Sequence, residues 1–160
     1  MTASTTTDAE QGVPADASAL SRYYTELLCW PTTIDPSVGE VRLGLGDTVD
    51  ALIMRAGFGG EVNHQLIRSM LSAPIIVVPG GPDEWIFLTQ PRTPMRDSTI
   101  AHLVSLQVGW KKAGSTIVLP AFGSAASELR WLAQPNAGLE LPSWAAMVGA
   151  VRRTASARAW

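Results

Sequence analysis

The chain has 160 residues, 46% of them hydrophobic and only 16% charged, with a formal net charge of −2. Such a length indicates one domain, able to bury roughly two-thirds of the surface its unfolded chain exposes. No run approaches the ~18 consecutive apolar residues that span a bilayer, and the first basic residue is Arg22, so neither membrane insertion nor a secretory leader is expected. A single cysteine, Cys29, excludes an internal disulfide and fits the reducing cytoplasm. Between Leu28 and Trp30 it reads as a buried thiol rather than a nucleophile.

In chain order, residues 1–17 offer almost nothing to bury and are expected to form a flexible arm. Asp16 or Ser18 then caps a helix whose Leu20, Tyr23, Tyr24, Leu27 and Leu28 share one face, ended by Pro31. Val41, Leu43 and Leu45 alternate as in a half-exposed strand, and Val49 to Met54 is apolar on both sides apart from Asp50. Gly57, Gly59 and Gly60 break the chain before a second helix carrying Val62, Leu66, Ile67, Met70 and Leu71. Strands at Ile75–Val78 and Trp85–Leu88 flank a Pro- and Gly-rich loop. Asp97 or Ser98 caps a short helix, Leu106 and Val108 alternate toward Trp110, and strands follow at Thr116–Leu119 and Leu129–Leu132. A Pro-initiated final helix presents Trp144, Met147, Val148 and Val151. These elements predict one α+β domain over residues 18–153, a mixed, largely antiparallel sheet with helices packed on it, followed by a tail at 154–160.

Charge is unevenly distributed. Residues 1–50 hold eight acids against two arginines, whereas residues 51–160 hold six acids against ten bases. No acid follows Glu140, so Arg152, Arg153 and Arg158, with Lys111 and Lys112, are the candidate phosphate contacts. Trp30 and Trp110, at the ends of elements, are candidates for stacking on bases or filling a partner's pocket. Trp85, Trp131 and Trp144 are read as core, with Trp131 between the sheet and the final helix. Asp47 and Asp50 are three residues apart and would face opposite sides of a strand, a poor metal pair. His64 and His102 have no cysteine nearby to make a zinc site.

The segments Gly114-Ser115-Thr116-Ile117-Val118-Leu119-Pro120, Leu129-Arg130-Trp131-Leu132 and Leu141-Pro142-Ser143-Trp144 resemble, in order and spacing, the end of the primase-polymerase (prim-pol) domain of the archaeo-eukaryotic primase superfamily. Tyr23-Tyr24 leading into Cys29-Trp30-Pro31-Thr32 is similar to that family's opening. The resemblance implies a strand ending in Asp-x-Asp that holds magnesium or manganese, a glycine-rich turn before a phosphate-contacting histidine, and a third acid before the Ile-Val strand. Here Asp50 is followed by Leu52, the turn around Gly80 and Gly81 runs into Asp83-Glu84-Trp85, and the third position falls in Ser105–Gln107.

The expectation is therefore a non-catalytic prim-pol-like domain without cofactor. It would bind or regulate through a protein partner or weak nucleic-acid contact, with Gly80 and Gly81 as its residual nucleotide-binding turn. Two alternatives stay open. One is an active nucleotidyltransferase using Asp47, Asp50 and Asp83; the other is an unrelated α+β interaction domain.

Overall fold

The computed structural model describes residues 15–158; of the arm expected over residues 1–17, residues 1–14 lie outside them, as do the last two residues of the chain, and residues 15–17 begin the first helix instead. The chain folds in the order α1 (Ala15–Leu28), β1 (Thr32–Asp35), β2 (Glu40–Gly44), β3 (Asp50–Arg55), α2 (Ala56–Arg68), β4 (Ile75–Val78), β5 (Glu84–Thr89), α3 (Asp97–Ser105), β6 (Thr116–Leu119), β7 (Arg130–Ala133) and α4 (Trp144–Arg158). Two antiparallel sheets form, a three-stranded β1-β2-β6 and a four-stranded β3-β5-β4-β7. The expected α+β class, with helices packed on sheets, is what the chain adopts.

The near-continuous apolar runs of β3, β4 and β5 are explained by burial on both faces. Leu52, Met54, Ile75 and Phe87 face a helical layer of α2, α3 and α4, where they meet Val62, Leu66, Leu103, Trp144, Met147 and Val151. Ala51, Ile76, Ile86 and Leu88 face the other way, onto Val41, Leu43, Ile117 and Leu119 of the smaller sheet and onto α1. One sheet is thus central. The period of two in β2 and β6 differs because their other face meets solvent.

Several sequence expectations are corrected. Asp16 and Ser18 lie inside α1 rather than before it, and α4 continues to Arg158 with Thr154 buried, so no tail begins at residue 154. Thr32–Asp35, too short and polar to read as a strand, is one because it pairs with β2 across a turn. In that turn Asp35 accepts hydrogen bonds from the Ser37 N–H and hydroxyl, and these bonds hold its carboxyl below the usual range. The alternation from Leu106 to Trp110 yields only a bridge between Gly109 and Ile53. There the chain is still finishing α3, with Gln107 at φ 59° and the Val108 N–H donating back to Leu103 O (3.0 Å). Cys29 is exposed, because it takes the left-handed conformation (φ 55°) that turns the chain out of α1 and lets Trp30 N donate to Tyr24 O.

The glycines after β3 do not break the chain; they lie within the first turns of α2. A Cβ on Gly59 would sit 3.0 Å from Trp85 Cε3 and 3.4 Å from Phe87 Cε2, so glycine there permits the helix to approach β5. Trp131 also differs from expectation. It packs with the α1 side of the sheet rather than with α4, its Nε1 donating to Tyr24 Oη (3.0 Å). Trp30 is buried in parallel stacking on Tyr24, with centroids 5.6 Å apart, and is closed to a partner.

Two stability outcomes follow. Gly60→Ala, whose Cβ meets nothing nearer than 3.9 Å, should stabilise by about 0.5–1 kcal/mol from helix propensity. Gly59→Ala should destabilise by about 1 kcal/mol through overpacking, and equal urea midpoints for the two variants would refute the packing role. Separately, burial pushes the Tyr24 hydroxyl well above the ordinary tyrosine range. Its neutral form is favoured on folding, so this contribution is intact below pH ~10, where an unfolded tyrosine ionises, and is lost as pH rises beyond it. Tyr24→Phe should remove up to ~1.4 kcal/mol per pH unit of alkaline destabilisation in that window. Parallel pH profiles for the variant and the parent protein would exclude it.

Candidate functional site

Asp50, the first residue of β3, shares a face with Leu52 and Met54 and points into the helical layer, where its side chain is 1% exposed. A carboxylate there needs a cation and donors. Arg92, in the loop between β5 and α3, supplies both. Its backbone N–H donates to Asp50 Oδ2 (2.9 Å), its Nε to the same oxygen (3.2 Å), and an Nη to Oδ1 (3.1 Å). The same Nη donates to the Lys111 carbonyl (2.5 Å), and the guanidinium lies 5.9 Å from the Trp144 ring centroid. Trp144 in turn meets Trp110 edge-on at 6.3 Å. One arginine therefore ties together β3, the 90–96 loop, the 110–112 loop and the start of α4.

The other carboxylates proposed from sequence are not brought to Asp50. Asp47 is exposed in the turn closed by Gly46 N to Val49 O. Asp83 lies beyond the far end of β3, whose five residue steps span roughly 17 Å, and accepts from Gly80 N (3.0 Å). Gly80 and Gly81 thus form an exposed loop whose amide is turned to Asp83. Among the described residues no group of three or more His, Cys, Asp or Glu is placed to hold a metal ion.

Basic side chains border a stripe of adjoining hollows in the helical layer, where Arg92 lies over Trp144 and Arg96 and Arg152 wall a cleft of about 310 Å³ with Thr99 and Trp144. The Lys111 loop joins this region through its carbonyl, held by Arg92, while Lys111 Nζ donates to Thr116 O (3.4 Å). Arg152 and Arg153 then border a second hollow with His102. Arg152 Nε donates to His102 Nδ1 (3.2 Å), and an Nη approaches Thr99 Oγ1 (3.4 Å). Among the described residues, no carboxylate lies within ion-pair distance of Lys111, Lys112, Arg96, Arg152 or Arg153.

Arg158 is not part of this stripe. Six residues beyond Arg152, it lies about 120° around the helix, paired with Glu61 (2.9 Å) and lying over Phe58. Trp110 is half-buried with an edge committed to Trp144. Arg92 and Arg96 went unread in the sequence because they sit in the irregular Gln90–Arg96 segment, where no periodicity assigns a face. The only available signal was the density of prolines and arginines. Compared with family models, curated proteins and solved structures, the chain matches none at a significant level.

Removing Arg92 leaves a buried charge without its partner. Arg92→Ala should cost about 3 kcal/mol or more in urea unfolding, and adding Asp50→Asn should recover over 1 kcal/mol of it by removing the orphaned charge. Additive losses in the double variant would mean that the two residues act independently.

Proposed function

We propose that the chain is a non-catalytic binding module on a prim-pol-like scaffold, contacting the phosphates of a single-stranded nucleic acid with its Lys111–Arg152–Arg153 face. The observation that carries the reading is the occupation of Asp50. Nucleotidyl transfer of the kind that resemblance implies needs carboxylates that share a divalent cation with a triphosphate. Here both oxygens of the one carboxylate on the corresponding strand face are engaged by Arg92. The adjacent surface offers instead arginines and lysines that, among the described residues, meet no carboxylate, bordering two neighbouring hollows, as suits contact with phosphates.

Fluorescence anisotropy with a labelled single-stranded oligonucleotide at low salt tests the binding. Each phosphate contact should contribute ~0.7 to the slope of log K against log salt. Replacing Lys111, Lys112, Arg152 and Arg153 by glutamine should weaken binding at least tenfold and flatten that slope. Arg158→Gln should leave it unchanged, because Arg158 serves Glu61. No binding by the parent protein, or equal sensitivity to Arg158→Gln, would defeat the assignment. In a primer-extension assay with magnesium or manganese no nucleotide incorporation is expected. Incorporation abolished by Asp50→Ala would instead establish a rearranged active site.

A further inference from the structure

The cleft between the 93–96 loop, α3 and the start of α4 differs from the rest of the basic stripe. Arg96 enters it from the loop, Thr99 from α3 and Arg152 from the third turn of α4. Trp144 and Ala145, at the amino end of α4, complete the wall. No acid occupies that helix's first turn to offset its partial positive charge. Trp144 also carries an unmet requirement. Its Nε1 is buried without a hydrogen-bond partner, the one such side-chain atom found among the described residues, and leaving a buried donor unpaired is unfavourable.

We propose that this cleft is a site for a phosphate monoester group, the dianionic terminus of a strand or of a small phosphorylated molecule. This rests on the reading of the same face as a phosphate-contacting surface and adds a specific end-recognition site to it. Two guanidinium groups from separate elements, a hydroxyl and a helix amino end approach from different directions. A tetrahedral oxyanion can accept from all of them, whereas a planar carboxylate presents one edge. The volume, about 310 Å³, is ample for one such group and lies at the lower end of small-ligand pockets. Arg152, held over α3 by His102 and Thr99, is already ordered at the rim. The indole N–H is buried, so the proposed ligand oxygen reaches it only when the cleft opens.

The test is an NMR titration of the intact protein with inorganic phosphate at constant ionic strength, following the assigned Trp144 indole N–H. The expected result is a saturable shift in the millimolar range that chloride does not reproduce. The Trp131 indole N–H, bonded to Tyr24, should not move. Arg96→Gln with Arg152→Gln should abolish the shift, and both replacements are at exposed positions that spare the core. No shift, or the same shift in the double variant, overturns the site. A second arm compares oligonucleotides with a 5′-phosphate and a 5′-hydroxyl. About fivefold tighter binding of the former, lost in the double variant, identifies a strand end. Equal affinities together with the phosphate shift identify a small phosphorylated molecule. Loss of oligonucleotide binding with the phosphate shift intact would remove the stripe and keep the cleft. Oligonucleotide binding without the shift would do the reverse.

Discussion

A sheet covered on both faces has no water to offer a polar side chain, and the β3-β5-β4-β7 sheet is covered by helices on one side and by a second sheet on the other. Asp50 enters this layer at the start of β3. It is tolerated because Arg92 meets it with three N–H groups. Arg92 is only partly exposed, so its position is set from several sides by the Lys111 carbonyl and the Trp144 ring. The loops on either side of α3 have no regular ladder of their own. Backbone bonds of Gln90 to Pro142 and of Gly109 to Ile53 hold each of them, and the Asp50–Arg92–Lys111 contact joins the two loops to each other.

That surface inherits a division of charge already present along the chain. The acids of the first third are carried by α1 and the smaller sheet, as with Glu26, Asp35 and Glu40, where Asp35 and Glu40 meet Arg42. The arginines of the last two-thirds belong mainly to the helical layer and its loops. Layering therefore turns a sequence asymmetry into opposite faces of the molecule. It also explains why a net charge near zero is uninformative about binding, since the field at one face is set by nearby charges within a screening length of about 10 Å.

Much of the scaffold was legible because burial on one or two faces leaves a periodic trace. The alternation of β2 and the double-sided apolar runs of β3 to β5 survive in the structure, as does the stripe of α1 apart from Leu27, which is exposed. What was illegible depends on single contacts without a period. Gly59 reads as a helix breaker until Trp85 is placed against it. Cys29 reads as buried until its left-handed φ is known. Trp131 alternates correctly as a strand residue, but alternation cannot say which layer lies on which side. Likewise, Lys111, Lys112, Arg152 and Arg153 were visible as clustered bases, whereas Arg92 and Arg96 gain meaning only when the 90–96 loop is folded onto α4. Arg158, which looks equivalent to its neighbours in sequence, is set apart from them by its pairing with Glu61 and its place over Phe58.

The apolar Leu52 and the role of Arg92 have a common electrostatic logic. Two carboxylates on alternate residues of one strand carry a charge of about −2, which a divalent cation can balance. With Leu52 at the second position only one negative charge remains on that face, and Leu52 itself extends the apolar cluster that receives Trp144. A single guanidinium is then sufficient, and being part of the chain it is present at all concentrations of metal. Trp144 is the ring over which that guanidinium lies. The residue that closes the apolar cluster around Leu52 thus also braces the arginine that neutralises Asp50.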